Sequence, residues 1–587
     1  MTERKETEAE RVMDYKVNYE NWISSEYLCP EGVAELKKIS DNDEAIKDAF
    51  GAELEFGTAG MRGIIGYGTN RMNVYTVRRA TKGLADFIKS KGKSAMQKGV
   101  AISYDTRNKS ELFARAAAGV LLYNDIKVYM YPEPRPVPML SYAVRSLDAF
   151  AGIMITASHN PKEYNGYKVY GSDGAQMSPE DTDEVVKYIS AVNDYLSVKE
   201  TTIESIKSKN NPPLFVVISK SFQNRYYEEL VRLSLSKKAV KKVGKHLKIV
   251  YTPVHGSGYV PVMTILKKIG IKPTVVEEQA VPDINFSTVQ VPNPEFKETL
   301  SKGIALANKI KADVVFGTDP DCDRLGVAIR NDEGEFEALT GNQTGILLLD
   351  YVLQRLKAED KLPANGVVVK SFVSTGMAKL ICNNYNVELV ETPVGFKFIG
   401  EKIKEYERTG EKEFIFGFEE SCGYLRGTHA RDKDAVVASM LFAEMTCYYK
   451  FIGKGVYQRL CEIYEQYGYV LDETDSVKYS GLNAMSEMNA AVEKMREKKI
   501  TSVGIYSVCG VRDYLSGVRT SDEGETKLDI KGVNCVYYEL LSGGFICLRP
   551  SGTEPKLKIY YSIKSKDKAF AEKQLAELKT DFMKLLE

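Results

Sequence analysis

One pattern constrains this chain more than any other: an apolar strand, a loop rich in small or hydroxyl residues, a helix and a second apolar strand, written out three times. It runs from Val100 as VAISYDTRNKSELFARAAAGVLLYNDIKVYMY, from Leu247 as LKIVYTPVHGSGYVPVMTILKKIGIKPTVVEE, and from Gly366 as GVVVKSFVSTGMAKLICNNYNVELVETP. In each copy the strands are short β-branched runs and the helix is apolar-periodic, which together spell a βαβ unit. Such units need a mostly parallel sheet covered by helices, and they gather ligands at the C-terminal ends of their strands. Three α/β domains with mixed, mostly parallel sheets follow. The C-terminal segment differs: GGFICLRPSGTEPKLKIYYSIKS reads as strand, turn, strand, and KDKAFAEKQLAELKTDFMKLLE as an amphipathic helix, giving a smaller α+β domain. At 587 residues the chain is too long for one core, and four domains match the usual sizes. Polar stretches near 200–213, 331–335 and 453–455 place them at 1–208, 209–334, 335–454 and 455–587.

Charge and cysteine usage exclude several classes. Lys plus Arg equals Asp plus Glu at 80 each, so no global field favours nucleic acid or an anionic membrane. The opening MTERKETEAERVMDYKVNYENW has no apolar core of a signal peptide and reads as a charged helix. No apolar run approaches the roughly 18 residues of a membrane span. Nine Cys lie without a CxxC pair, and Cys382, Cys509 and Cys547 stand in apolar stretches, as expected of reduced, mostly buried thiols. The expectation is a cytoplasmic protein with neither nucleic-acid nor membrane partners.

Four segments carry chemistry. In ITASHNPKEYNGYK (155–168) the strand AGIMIT ends just before Ser158, His159 and Asn160, at the strand end where active-site groups collect. A serine hydroxyl needs a base, a metal or a cationic setting to act as a nucleophile; a bare Ser-His pair equally suits a polar turn. In VVFGTDPDCDRLGV (314–327) alternation along an extended segment turns Asp319, Asp321 and Asp323 the same way. Three such anions repel unless a cation joins them, and hard oxygen donors suit Mg²⁺ or Mn²⁺ rather than zinc. An EF-hand is excluded, because Arg324 and Arg330 stand where Gly and Glu are required. FIFGFEESCGYLRGTHARDKD (414–434) offers Glu419, Glu420 and Ser421 after a strand, groups that suit a vicinal diol or an acidic helix cap. In LRPSGTEPKLKIYY (548–561), Arg549, Ser551 and Thr553, in a turn with Gly552 and with Lys556 and Lys558 nearby, form a phosphate cradle or an ordinary hairpin turn. Other motifs fail: Phe87 stands where a Walker A loop ending in Gly92-Lys93-Ser94 needs glycine, no HExxH occurs among four His, and Pro261 breaks a dinucleotide fingerprint.

In this order and spacing the four segments resemble the α-D-phosphohexomutase superfamily over nearly the whole chain. TASHNP is similar to its phosphoserine loop, GTDPDCDR to its metal loop, GFEES to its sugar loop and RPSGTEPK to its phosphate loop. The resemblance implies four domains around a central cleft. It implies Ser158 as phosphoryl carrier, with Asp319, Asp321, Asp323 and the Ser158 phosphate binding one Mg²⁺ per chain. Arg324 would stabilise the transferring group, His159 would stand beside the carrier, and GTAGMRG points to Arg62. NGYK points to Lys168 as general base, and DKD to Lys433. Thr392 and Gly395 of TPVGFKF, with Glu419 and Ser421, would contact the sugar; Arg549, Ser551, Gly552 and Thr553 would hold its distal phosphate. The implied activity is that of a phosphoglucomutase, with glucose 1,6-bisphosphate as intermediate and activator, acting on small sugar phosphates as a monomer or weak homodimer. GFEES and the chain length resemble a branch that also holds phosphopentomutases, and Tyr424 stands where the phosphomannomutase/phosphoglucomutase branch has His. Pentose and mannose phosphates therefore stay open as substrates. A metal-dependent sugar phosphatase or a silent sugar-phosphate binder are the readings from other classes; the first has no need of a second phosphate cradle, the second none of Ser158 with three Asp.

Overall fold

A computed structural model describes residues 8–57, 60–203, 213–480, 484–551 and 556–586. The chain forms two compact units, one of residues 1–328 with 424–443, the other of 329–423 with 444–587. Among the described residues no single helix is long and apolar enough to cross a membrane, and all nine cysteines are free thiols.

All three βαβ readings hold. Val100–Tyr104, helix Ser110–Tyr123 and Val128–Met130 form the first, with the two strands parallel. Ile249–Thr252, helix Tyr259–Ile269 and Thr274–Val275 form the second, and Gly366–Ser371, helix Met377–Asn384 and Glu388–Thr392 the third, again parallel. The physical reason is visible in the burial. Val100–Tyr104, Ile249–Thr252, Val314–Thr318 and Gly366–Ser371 are buried at every position, as strands covered on both faces must be.

In the first unit one sheet runs Met61–Ile64, Tyr164–Tyr170, Ala151–Ile155, Val100–Tyr104, Val128–Met130, Phe215–Val217. Its first two pairings are antiparallel and the rest parallel. The last strand lies beyond residue 208, so this sheet reaches into the stretch that the sequence assigned to the second domain; residues 204–212 of that boundary are outside the described residues. A second sheet is centred on Ile249–Thr252, parallel to both Thr274–Val275 and Val314–Thr318. The charged opening of the chain is helical from Glu8 to Ile23, and with Pro30–Lys37 and Asp43–Phe50 it builds a small aromatic core. There Trp22 meets Phe50, Tyr75 and Tyr195 edge-on.

In the second unit Gly366–Ser371 lies parallel to Glu388–Thr392 and to Glu413–Glu419. The C-terminal sheet is antiparallel throughout, in the order Tyr469–Lys478, Lys556–Ser565, Phe545–Pro550, Val536–Leu540, Tyr506–Asp513, Val518–Ser521, Gly524–Lys527. Its alternate residues feed two cores. Tyr538, Ile546 and Leu548 pack under the helices Ala484–Glu497 and Lys568–Leu586, while Tyr537, Phe545 and Cys547 pack with Phe372 and Tyr514.

Helix packing in the first unit sets a stringent local test. Gly83, inside the helix Val74–Ser90, faces Ile189 of the helix Pro179–Ser190, and a Cβ there would stand 2.6 Å from the Ile189 backbone nitrogen. Alanine is intrinsically the better helix former by about 1 kcal/mol, but overpacking against backbone costs roughly 1–3 kcal/mol and more for a branched side chain. Gly83→Val is expected to lower the first thermal transition by several degrees in calorimetry; an unchanged or raised transition would show that the two helices are not in this contact.

Candidate functional site

The first unit carries a cluster of charged and hydroxyl groups at the C-terminal ends of two neighbouring sheets. Strand Ala151–Ile155 delivers Ser158, and Val314–Thr318 delivers Asp319, Asp321 and Asp323. Ser158 Oγ donates to Asp319 Oδ2 at 2.9 Å and lies 3.1 Å from His159 Nδ1. Ser158 has φ 50°, and Cys322, between two of the aspartates, has φ 52°. L-residues are held in this left-handed region at a cost of about 1–2 kcal/mol each, so the surrounding contacts fix both loops. For Ser158 one such contact is its own N–H, which donates to Thr156 Oγ1 at 2.8 Å. In the metal loop Asp319 Oδ1 accepts the N–H groups of Asp323 and Arg324 at 3.1 and 3.0 Å, which curls the segment round its own first carboxylate.

The three aspartates are fully buried, with ligand oxygens within 4.8 Å of one another. Lys168 Nζ donates to Asp321 Oδ2 at 3.0 Å, and Lys433 Nζ lies 2.8 Å from Asp323 Oδ2. Arg324 pairs with Glu295 and stands 3.9 Å from Asp323. Burial, followed by repulsion from Asp321 and Asp323, pushes the Asp319 carboxyl well above its usual range. Burial opposes ionisation of Asp321 too, but the Lys168 ammonium overcomes it and holds that carboxyl low. Burial, then the charges of Arg324 and Arg62, drives His159 well below its normal value, so its imidazole is neutral. Asp321 Oδ1 and Asp323 Oδ1 accept no hydrogen bond. Buried carboxylate oxygens left in this way, in a set of only hard donors, fit a divalent metal ion.

Of the residues marked in the sequence, this unit thus brings Ser158, His159, Lys168, Arg324, Lys433 and the three aspartates together. Arg62 joins the serine loop by donating to Asn160 Oδ1 at 2.8 Å. Two groups were missed. Asp432 accepts from Tyr170 OH at 3.0 Å and Gln176 Nε2 at 3.2 Å, and so fixes the backbone that carries Lys433. Arg107 donates from Nη1 to the carbonyls of Pro161 and Tyr164 at 2.9 and 3.2 Å, and from Nη2 to those of Ser158 and Asn160. Its signal lay in the first βαβ copy: YDTRNKS follows the strand Val100–Tyr104, at the same topological position as the serine loop.

The second unit holds the other marked residues. Glu419 Oε1 accepts the Gly395 N–H at 2.6 Å, which ties the sugar loop to the turn before the helix Phe396–Thr409; Gly395 has φ 125°, open to glycine. Glu420 Oε2 accepts from Ser371 Oγ and Ser374 Oγ at 2.9 and 3.2 Å. Ser421 beside them is half-buried. Thr392 is 2% exposed and its hydroxyl donates to the Lys370 carbonyl at 3.3 Å. Tyr424, which belongs to the first unit, is buried at 1% exposure. Arg549 is half-buried on the strand Phe545–Pro550, opposite Lys558; its guanidinium is held above its usual value against the opposing effect of burial by Tyr560 and Glu420. The Ser551 N–H donates to the Lys556 carbonyl at 2.9 Å. Gly552 and Thr553 lie outside the described residues.

Comparison with known proteins matches this geometry to one family. The models of phosphoglucomutase/phosphomannomutase α/β/α domains I, II and III match residues 53–195, 224–334 and 340–467 in succession. A phosphoglucomutase of Staphylococcus aureus (strain USA300) is 37% identical over 88% of this chain and 91% of its own length. One of Staphylococcus epidermidis (strain ATCC 12228) is 36% identical over 92% and 96%. Among solved structures, a phosphoglucomutase/phosphomannomutase family protein from Burkholderia thailandensis superposes with a TM-score of 0.64 at 18% identity, covering 90% of this chain and 95% of its own. The phosphoprotein pp63/parafusin of Paramecium gives 0.65 at 17%, covering 91% and 95%. Successive domain matches and identity maintained over nine-tenths of the length leave one assignment: the chain belongs to the phosphoglucomutase/phosphomannomutase family, within the α-D-phosphohexomutase superfamily.

Proposed function

We propose that this protein interconverts glucose 1-phosphate and glucose 6-phosphate, carrying the phosphoryl group on Ser158 and passing through glucose 1,6-bisphosphate. The observation that carries this reading is the Ser158 hydroxyl 2.9 Å from the first of three buried aspartates. Asp319, Asp321 and Asp323 would hold Mg²⁺, which when bound supplies positive charge to the phosphoryl oxygens. The curated relatives named phosphoglucomutase support the choice of glucose phosphate.

The chain's own groups then divide the work, which in phosphoryl transfer is mainly positioning and charge neutralisation. In the forward half-reaction the bond between phosphorus and Ser158 Oγ breaks and one to the sugar oxygen forms. The sugar hydroxyl's proton would pass to Lys168 Nζ, which can accept it only after its own ammonium proton has gone to solvent. Ser158 Oγ leaves as an alkoxide and takes a proton from solvent, in balance with the one given up by the sugar hydroxyl; His159 Nδ1 stands 3.1 Å away. Arg324, Arg62 and Lys433 add cationic charge around the transferring group. In the second unit Arg549 and Ser551, with Gly552 and Thr553, would bind the phosphate that stays on the sugar, and Glu419 and Ser421 its hydroxyls. Hydroxyls that Glu419 and Ser421 can hold in either orientation of the sugar would let the bisphosphate turn over and return its other phosphoryl group to Ser158.

Ser158→Ala is expected to abolish mutase turnover in a coupled assay and to leave the protein unlabelled, by intact mass, after incubation with glucose 1,6-bisphosphate; full turnover would remove Ser158 as carrier. Arg549→Ala is expected to raise KM for glucose 1-phosphate by about 10- to 100-fold, the worth of a charge-assisted contact, and an unchanged KM would remove the distal-phosphate role. Asp321→Asn should weaken Mn²⁺ binding, followed by calorimetry, at least about tenfold; unaltered affinity would place the ion elsewhere. Ribose 1-phosphate run beside glucose 1-phosphate decides the sugar, and faster turnover of ribose phosphate would make the protein a phosphopentomutase with the same carrier.

A further inference from the structure

The site's least expected feature is how the serine loop and the metal loop are held against each other. They come from different sheets, yet Ser158 Oγ and Asp319 Oδ2 meet at 2.9 Å. Between them lies the turn Asp105-Thr106-Arg107, buried at all three positions. Arg107 is committed to the serine loop through both of its Nη nitrogens. Its Nη atoms reach the carbonyls of Ser158, Asn160, Pro161 and Tyr164, and its Nε stands 3.3 Å from Asp105 Oδ2. Asp105 is fixed in turn by Ser110 Oγ at 2.6 Å and by the Arg107 N–H at 2.9 Å. A planar guanidinium with five N–H groups is the one side chain that can gather four carbonyls of a single loop and keep an ion pair as well.

The same turn reaches the metal loop. Thr106 Oγ1 donates to the His255 carbonyl at 2.7 Å. Val254 and His255 are consecutive non-glycine residues with φ 46° and 61°, a conformation maintained by packing and hydrogen bonds. Two residues on, Ser257 donates from both N and Oγ to the Pro320 carbonyl at 2.8 Å, between Asp319 and Asp321. From the other side Phe286 covers the Arg107 guanidinium at 5.0 Å, and the His255 ring packs edge-on to Phe286 at 6.2 Å. His255 is locked by its Nδ1 at 2.9 Å from the Val281 carbonyl and its Nε2 at 2.7 Å from Thr288 Oγ1.

We infer that Thr106 and Arg107 are positioning residues that set the register between the phosphoryl-carrying serine and the metal-binding aspartates. Neither is assigned contact with substrate; each acts through loop backbone. The inference rests on Ser158 as carrier. Phosphoryl transfer is acutely sensitive to alignment, and a displacement of about 1 Å in such a site costs on the order of 100-fold in rate. The turn's contribution therefore falls on kcat and on the rate at which Ser158 is phosphorylated, not on sugar-phosphate affinity.

The test compares Thr106→Val, Arg107→Met and Arg107→Lys with Ser158→Ala, reading kcat, KM, thermal midpoint and the rate of Ser158 labelling by glucose 1,6-bisphosphate. Thr106→Val keeps size and removes a single hydrogen bond. It is expected to lower kcat and the labelling rate about tenfold with KM and thermal midpoint held. Arg107→Met is expected to lose roughly 100-fold or more in both rates. Arg107→Lys should recover only part, since an ammonium has three donors for the four carbonyls that Arg107 holds. A folded Arg107→Met variant with unaltered kcat would overturn the inference. So would Thr106→Val with unaltered kcat and labelling, even if Arg107→Met does not fold. Turnover retained by Ser158→Ala would instead sink the carrier assignment on which the inference stands.

Discussion

Three carboxylates buried within 4.8 Å of one another are the constraint round which the first unit is organised. Left alone they would share protons or force the loop apart, because a buried unpaired charge is among the most costly things a fold can hold. The chain answers with cations drawn from distant places. Lys168 comes from the strand Tyr164–Tyr170, Lys433 from the segment before the helix Ala435–Phe451, and Arg324 from the loop itself. Asp319 still carries the strain of crowding, its carboxyl raised by burial and by its two neighbours. That residual imbalance is what suits the cluster to a divalent cation.

Backbone strain marks the same places. Ser158, Cys322 and Cys422 each sit in the left-handed region, one in each of the serine, metal and sugar loops, and Val254 with His255 make a strained pair behind the metal loop. None is glycine, so each conformation is maintained by surroundings rather than by intrinsic preference. Arg107, Thr106 and Ser257 supply much of that support in the first unit. Rigid loops on strand ends suit a reaction whose catalysis is largely alignment.

The second unit ties its polar groups into a network of their own. Glu419 is tied to the Gly395 N–H, and Glu420 to two serines. Lys370, 2% exposed, donates to Glu391 and to the carbonyls of Ser371 and Ser374, and Arg512 reaches Glu391 from the C-terminal sheet at 3.1 Å. With Phe372 stacked on Tyr514 at 4.3 Å, these contacts bind the parallel sheet to the antiparallel one within this unit. Such a network fixes the orientation of Glu419 and Glu420.

The sequence by itself determined the local grammar. The three βαβ copies, the strands ending at Ser158, Asp319 and Glu419, and the C-terminal hairpin with its helix were all legible, since period-2 and period-3.6 patterns are written in neighbouring residues. The ribbon Val518–Ser521 and Gly524–Lys527 was not legible: it is polar and largely exposed, and shows no apolar alternation. Tertiary structure alone decided which charges meet. That Arg107 gathers four carbonyls of the serine loop, that Lys433 answers Asp323, and that Thr392 and Tyr424 turn inward depend on strands and loops far apart in the chain. No local periodicity encodes such partners, because a buried polar group takes whichever donor or acceptor the fold brings within about 3 Å of it.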